Sequence, residues 1–205
     1  RQDSAAIETI ATKTYNDPKA GSQRDFSTLV LAQVNSARGK INQSLRYFGE
    51  SESVVATDSR TKMPLLRASL DSAWSRAFFF GEAAAAREHV RKALAAIPME
   101  SLPASERQWP YLIAIAQATG DAEAARSALR SLERDLPQMG LEQSAGALAE
   151  ARGHVALTEG RATEAIPLFR EADRTYASCD RCAMINLARA FDLAGQRDSA
   201  LTYFQ

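Results

Sequence analysis

The sequence predicts an all-α protein built as an α-solenoid of about five helical hairpins, and three observations carry that prediction. Ala is abundant, with Leu, Arg, Glu and Gln close behind, and β-branched residues are sparse, so most of the chain consists of strong helix formers. No segment alternates apolar and polar residues between hairpin turns, so strands have no signal. One pattern recurs: Gly, four residues, a small residue, three residues, then a bulky apolar one. It appears as Gly39-Ser44-Phe48, Gly81-Ala86-Val90, Gly120-Ala125-Leu129, Gly160-Ala165-Phe169 and Gly195-Ala200-Phe204. Successive glycines are 42, 39, 40 and 35 residues apart, which marks a structural repeat.

Each part of the pattern has a physical task. The Gly ends the first helix of a pair, where positive φ costs least. Polar helix formers such as Asp121-Ala122-Glu123 and Arg197-Asp198-Ser199 open the second helix. The small residue lets two antiparallel helices approach to roughly 8–10 Å. The bulky residue fills the space towards a neighbouring pair. Counting back from each Gly gives the first helices, which carry Thr28, Leu31 and Ala32; Leu70, Ala73, Trp74 and Ala77; Trp109, Leu112 and Ala116; Gly153 and Ala156; and Leu187, Ala188 and Phe191. Ser105 and Gln108 are expected to form a capping box at the start of the third of these helices. Pro98 and Pro137 are expected to stop second helices, and Pro167 to lie near a helix start, where a missing N–H is cheap. The resulting division is a single domain over 1–205, with divergent helices in 1–60 and repeat units 61–104, 105–145, 146–180 and 181–205. Longer helices or looser linkers are expected around Ser51–Thr61 and Gln138–Ser144.

The run Met184, Leu187, Ala188, Phe191, Gly195, Ala200, Phe204 resembles a tetratricopeptide repeat, as does Gly153, Gly160, Ala165, Phe169, Ala172. The likeness is clearest over about residues 105–205. It implies antiparallel helix pairs stacked into a superhelix whose first helices line a concave groove for a protein or peptide. The string from Cys179 to Phe204 is also similar to the terminal repeats of some bacterial signalling proteins, often serine/threonine kinases with a helical-repeat tail. The chain carries no Gly-rich loop, H-R-D or D-F-G of a kinase, so the resemblance implies the repeat module alone.

Composition narrows the function. Twenty-five Lys and Arg balance 25 Asp and Glu, and the Arg126, Arg130, Arg134 face is interspersed with Glu123 and Glu133. The cationic excess that phosphate contacts require is missing, so no nucleic-acid partner is expected. No stretch approaches 18 uninterrupted apolar residues, so no membrane insertion is expected within this segment. The chain opens on Arg1-Gln2-Asp3 and closes at Gln205 within a helical pattern, and is read as a piece of a longer protein. The compartment stays open: cytoplasmic, or extracytoplasmic behind a membrane segment.

Few residues carry chemistry. Cys179-Asp-Arg-Cys182 is a lone C-x-x-C pair; a structural zinc needs four ligands, and the two histidines, His89 and His154, fall in other repeats. The pair is read first as structural or incidental, then as a disulfide closing a helix start, then as a redox switch. His154 stands one turn after Glu150, with no recognisable nucleophile or oxyanion donor, and is read as a surface histidine; His89 is read as solvated. No catalytic residue, cofactor or metal is expected. Among Phe78, Phe79 and Phe80, Phe78 is the ring that could anchor a ligand in the groove, against the alternative that all three pack.

The groove expected from this register comprises Asp71, Ser75, Phe78, Arg107, Ala114, Gln117, Glu150, His154, Leu157, Cys182, Ile185, Arg189 and Asp192. Its mixture of charges and apolar groups suits an extended peptide or a protein helix. The functional expectation is a non-catalytic interaction scaffold in a larger bacterial signalling or regulatory protein. The alternative is a sensor that answers a small ligand or redox state through the groove or the Cys179/Cys182 pair.

Overall fold

A computed structural model describes residues 4–57, 62–139, 141–175 and 184–204. The described residues are overwhelmingly helical and include no strand. They form two compact units, 1–102 and 103–205.

The first unit contains α1 (Ser4–Asn16), α2 (Ser22–Ala37), α3 (Ile41–Thr57), α4 (Lys62–Phe80) and α5 (Ala83–Ala96). Each packs on the next in chain order. Ala11, Leu31, Ala32, Tyr47 and Phe48 form a core between the first three helices, and the ring of Tyr15 stands edge-on to Tyr47 at 5.5 Å. Helix α4 buries mainly small residues, among them Ala68, Ser72, Ala73, Ser75 and Ala77, as close helix approach requires.

The second unit contains α6 (Trp109–Thr119), α7 (Ala122–Asp135), α8 (Leu141–Thr158), α9 (Ala162–Thr175), α10 (Met184–Leu193) and α11 (Arg197–Phe204). α6 packs on α7, α8 on both α6 and α7, α9 on α8, α10 on α9, and α11 on α10. The core of its C-terminal half is Phe169, Ile166, Leu187 and Phe191, closed around the small side chains of Ala156, Ala165, Ala190 and Ala200.

All five repeat glycines have positive φ, from 67° to 76°, and each lies between two helices that pack together. Four share one closure, in which the amide after the Gly donates to the carbonyl four residues before it. These are Lys40 to Asn35, Asp121 to Ala116, Arg161 to Ala156 and Gln196 to Phe191, all at 2.8–2.9 Å. The small residue five positions after each Gly is buried in every case: Ser44, Ala86, Ala125, Ala165 and Ala200. The bulky position is less uniform. Phe48 and Phe169 are buried, Val90 and Leu129 half-buried, and Phe204 is 56% exposed.

Of the two alternatives for the longer units, Ser51–Thr57 and residues 141–144 take the longer helix, while 58–61 and 140 lie outside the described residues. Other local expectations are corrected. The Ser105–Gln108 capping box does not form: Ser105 lies in a short 3-10 turn, Ala104–Glu106, and Gln108 makes no side-chain cap. Pro167 sits inside α9, well past the first turn. It is tolerated because both Pro167 and Thr163, whose carbonyl loses its usual i+4 donor, face solvent. Pro98 and Pro137 do follow helix ends, at Ala96 and Asp135. A sixth positive-φ glycine, Gly21, separates α1 from α2. It was not legible, because Phe26 occupies the position where the pattern has a small residue.

Candidate functional site

In the first unit the predicted groove positions turn inward. Asp71 and Ser75 are buried in α4, where Asp71 meets the Arg67 guanidinium at 3.5 Å. Phe78 is half-buried and stacks on Trp74, with centroids 4.6 Å apart, while Phe79 meets both rings edge-on. The exposed rings of this run are Phe79 and Phe80, so Phe78 is not the protruding anchor. A run of three rings covers most of the helix circumference, and the stack with the preceding turn is the one that α4 itself provides.

In the second unit, Arg107 precedes α6 and is committed elsewhere. Its guanidinium donates to Asp135 Oδ2 at 2.8 Å, and the Trp109 indole donates to the same oxygen at 2.7 Å. Asp135 is 1% exposed, at the far end of α7, so this cluster ties the open ends of the α6–α7 pair. Burial pushes its carboxyl up, yet the hydrogen bonds of Arg107 and Trp109, with the charge of Arg107, outweigh it and hold the group below the usual carboxylate range. Leu157 is buried in the C-terminal core, and Ala114 is half-buried. Ile185 and Asp192 are exposed on α10.

Four predicted residues do come together: Gln117 on α6, Glu150 and His154 on α8, and Arg189 on α10. These three helices are the first members of successive pairs. The Arg189 guanidinium donates to Gln117 Oε1 at 3.2 Å, across 72 residues of sequence. Asn186, one turn before Arg189, donates to Glu150 Oε1 at 2.9 Å, and its amide nitrogen lies 3.5 Å from His154 Nε2. The imidazole stands 3.9 Å from Glu150 Oε1. The result is a polar seam running over three first helices.

Asn186 was missed. Counting back from the repeat glycines pairs Glu150, ten residues before Gly160, with Ile185, ten before Gly195. The contact instead runs diagonally to the ninth residue before Gly195, which puts Ile185 in solvent. A polar residue beside the expected position was the one available signal.

His154 corrects its surface reading. It is 7% exposed, and the Phe169 ring lies edge-on at 5.3 Å. Burial first, then the nearby Arg189 charge, push its pKa down to about 4, so the imidazole is neutral at pH 7. Burial also lowers the Arg189 pKa. His89 is half-buried and lines a shallow groove with Leu65, Ser69 and Lys92. Cys179 and Cys182 lie outside the described residues.

Among the described residues, no group of three or more His, Cys, Asp or Glu side chains is placed to hold a metal ion. No helix among them is long and apolar enough to cross a membrane. Known protein-family models and curated protein sequences give no match to the chain.

Proposed function

We propose that the chain is a tetratricopeptide-like interaction module of about five stacked helical hairpins, a non-catalytic scaffold for a protein or peptide. One observation carries the reading: the first helices of three successive pairs, α6, α8 and α10, direct Gln117, Glu150, Asn186 and Arg189 into one polar seam. The second helices α7, α9 and α11 meanwhile bury Ala125, Ala165 and Ala200. Such a division leaves the first-helix face available for recognition.

The chemistry of the seam favours holding over reacting. His154 is buried and neutral, with a pKa too low for an effective base near pH 7, and the Glu150 oxygen beside it is engaged by Asn186. At the edge of the seam, Ile185 and Asp192 are exposed on α10 to either side of the half-buried Arg189, whose guanidinium is held by Gln117, so this face of the helix presents an apolar contact and a carboxylate around a held cation. That face suits a peptide carrying both charges around an apolar side chain. A place within a larger bacterial signalling or regulatory protein belongs to the same proposal, and rests on the similarity of residues 179–204 to terminal repeats of such proteins.

The test is selection from a displayed random-peptide library, followed by calorimetry of a synthetic consensus peptide on the wild type, Arg189→Glu and Asp192→Lys. The expected result is an enriched charged consensus whose binding weakens at least about tenfold in one variant, equivalent to about 1.4 kcal/mol. No enrichment, or binding indifferent to both substitutions, defeats the proposal.

A further inference from the structure

The seam between α8 and α10 is organised around one buried imidazole. The Asn186 amide nitrogen donates to Glu150 Oε1 at 2.9 Å and stands 3.5 Å from His154 Nε2, one turn along α8, which accepts from it in the tautomer that carries its proton on Nδ1. Imidazole nitrogen accepts only in the neutral ring; in the cation both nitrogens carry protons. The other ring nitrogen, Nδ1, is buried without a hydrogen-bond partner among the described residues.

The surroundings define what a proton would meet there. On α8 itself the facing charge is Glu150, 3.9 Å from Nε2. From α10 it is Arg189, whose guanidinium is tied to Gln117 of α6; the titratable side chain of α6, Tyr111, lies more than a turn before Gln117. From α9 the imidazole meets the uncharged Phe169 ring. Asp173, one turn further along that face, is half-buried, and Glu164, Arg170, Glu171 and Arg174 are exposed. Helix α7 meets α8 through Glu133 and Arg152, and position 152 is about 200° around the helix from His154.

We propose that His154 is an acid-operated latch: neutral, it accepts the Asn186 amide and holds α10 against α8; protonated, it loses that acceptor, is repelled by Arg189 and turns to Glu150, and the seam opens. The proton comes from solvent and resides on Nε2, so Asn186 loses the imidazole acceptor outright and shares Glu150 with the imidazolium. The contact of α10 with α9, through Phe169, Leu187 and Phe191 with the Arg170 guanidinium over the Phe191 ring at 5.4 Å, includes no carboxylate or imidazole and stays closed, which makes the opening local. The same burial and cationic neighbour that disfavour the charged ring keep the latch shut at neutral pH. Release belongs to acid conditions.

The experiment is amide hydrogen exchange on the whole chain between pH 7 and pH 4, corrected for the intrinsic exchange rate. An open state titrating at about 6.5 and a closed state at about 4 give a fall of about a hundredfold in the closed-to-open ratio of α10. His154→Gln, whose amide oxygen accepts at every pH, is expected to lose that fall. An equal fall in His154→Gln, or a flat wild-type profile, overturns the latch. Should that variant not fold, an NMR titration of the wild type decides: the Asn186 side-chain amide must shift with the His154 midpoint, and an amide that ignores it overturns the proposal. Neither readout needs a peptide ligand, so the latch and the binding proposal fail separately.

Discussion

Two glycines inside helices give opposite answers to the same substitution. At Gly153 in α8, an added methyl would sit 2.7, 2.8 and 2.9 Å from Cε1, Cζ and Cδ1 of Phe169. At Gly49 in α3 it would meet nothing within 4 Å. Neither residue has positive φ, so backbone strain does not enter. Phe169 is 0% exposed, with His154 against one edge and Ile166, Leu187 and Phe191 in the same core, so the ring cannot swing away. Overpacking of this kind costs about 1–3 kcal/mol, and three contacts under 3 Å on a confined ring argue for the upper half of that range. Replacing helical Gly by Ala recovers about 1 kcal/mol. Gly153→Ala is therefore expected to lose about 1–2 kcal/mol, and Gly49→Ala to gain about 0.5–1 kcal/mol. Urea unfolding followed by circular dichroism measures both, as midpoint shifts at constant slope. Adding Phe169→Leu should relieve most of the Gly153→Ala penalty in a double-mutant cycle. If Gly153→Ala matches or exceeds wild-type stability, the close approach of α8 and α9 has been misread.

Phe169→Ala should cost about 3–5 kcal/mol by urea unfolding, since a large buried ring leaves a cavity; a loss under about 1 kcal/mol, typical of surface sites, contradicts its place in the core. Asp135→Asn removes the carboxylate charge opposite Arg107 and leaves one amide oxygen for Arg107 and Trp109, and about 3 kcal/mol is expected, the low end for a broken buried pair because an acceptor remains and Arg107 is partly exposed. Because the folded Asp135 pKa is depressed, its contribution is present above the unfolded value of about 3.9 and is lost as pH falls through the folded value below that. Acid unfolding below about pH 4 should therefore be steeper in the wild type than in Asp135→Asn, and parallel curves refute the assignment.

Some features of this chain could be read from sequence because they are fixed within a single helix pair. The repeat glycines demand positive φ, and at four of them the same backbone closure sets how the second helix leaves. The residue five places on then lands against the first helix, which is why a small side chain is buried there in all five instances. Helix α1 and Gly21 carry none of that signature, so neither could be placed as part of a pair. Asp71, Ser75 and Leu157 were assigned to the groove by transferring one register to every unit. Burial around α4 and in the C-terminal core is set by neighbouring helices that the register does not encode.

The bulky position shows where that legibility stops. Phe48 on α3 and Phe169 on α9 each lie on a helix with packed neighbours on two sides, and both are buried. Val90 on α5 and Phe204 on α11 lie on helices whose main described contact is a single partner, and they are half-buried and exposed. Leu129 on α7, which meets both α6 and α8, is still only half-buried, so the number of neighbours does not decide burial alone. A side chain that faces its own pair has its environment specified by local spacing. One that faces the next pair depends on how the pairs rotate against each other, and the polar seam belongs to this second kind. The diagonal from Glu150 to Asn186, one residue off the glycine count, is the rotation of α10 against α8 written into a hydrogen bond. Replacing Asn186 by Leu should therefore disturb the α8–α10 seam while leaving the Gly160 and Gly195 closures, which are internal to their pairs, unchanged in amide exchange.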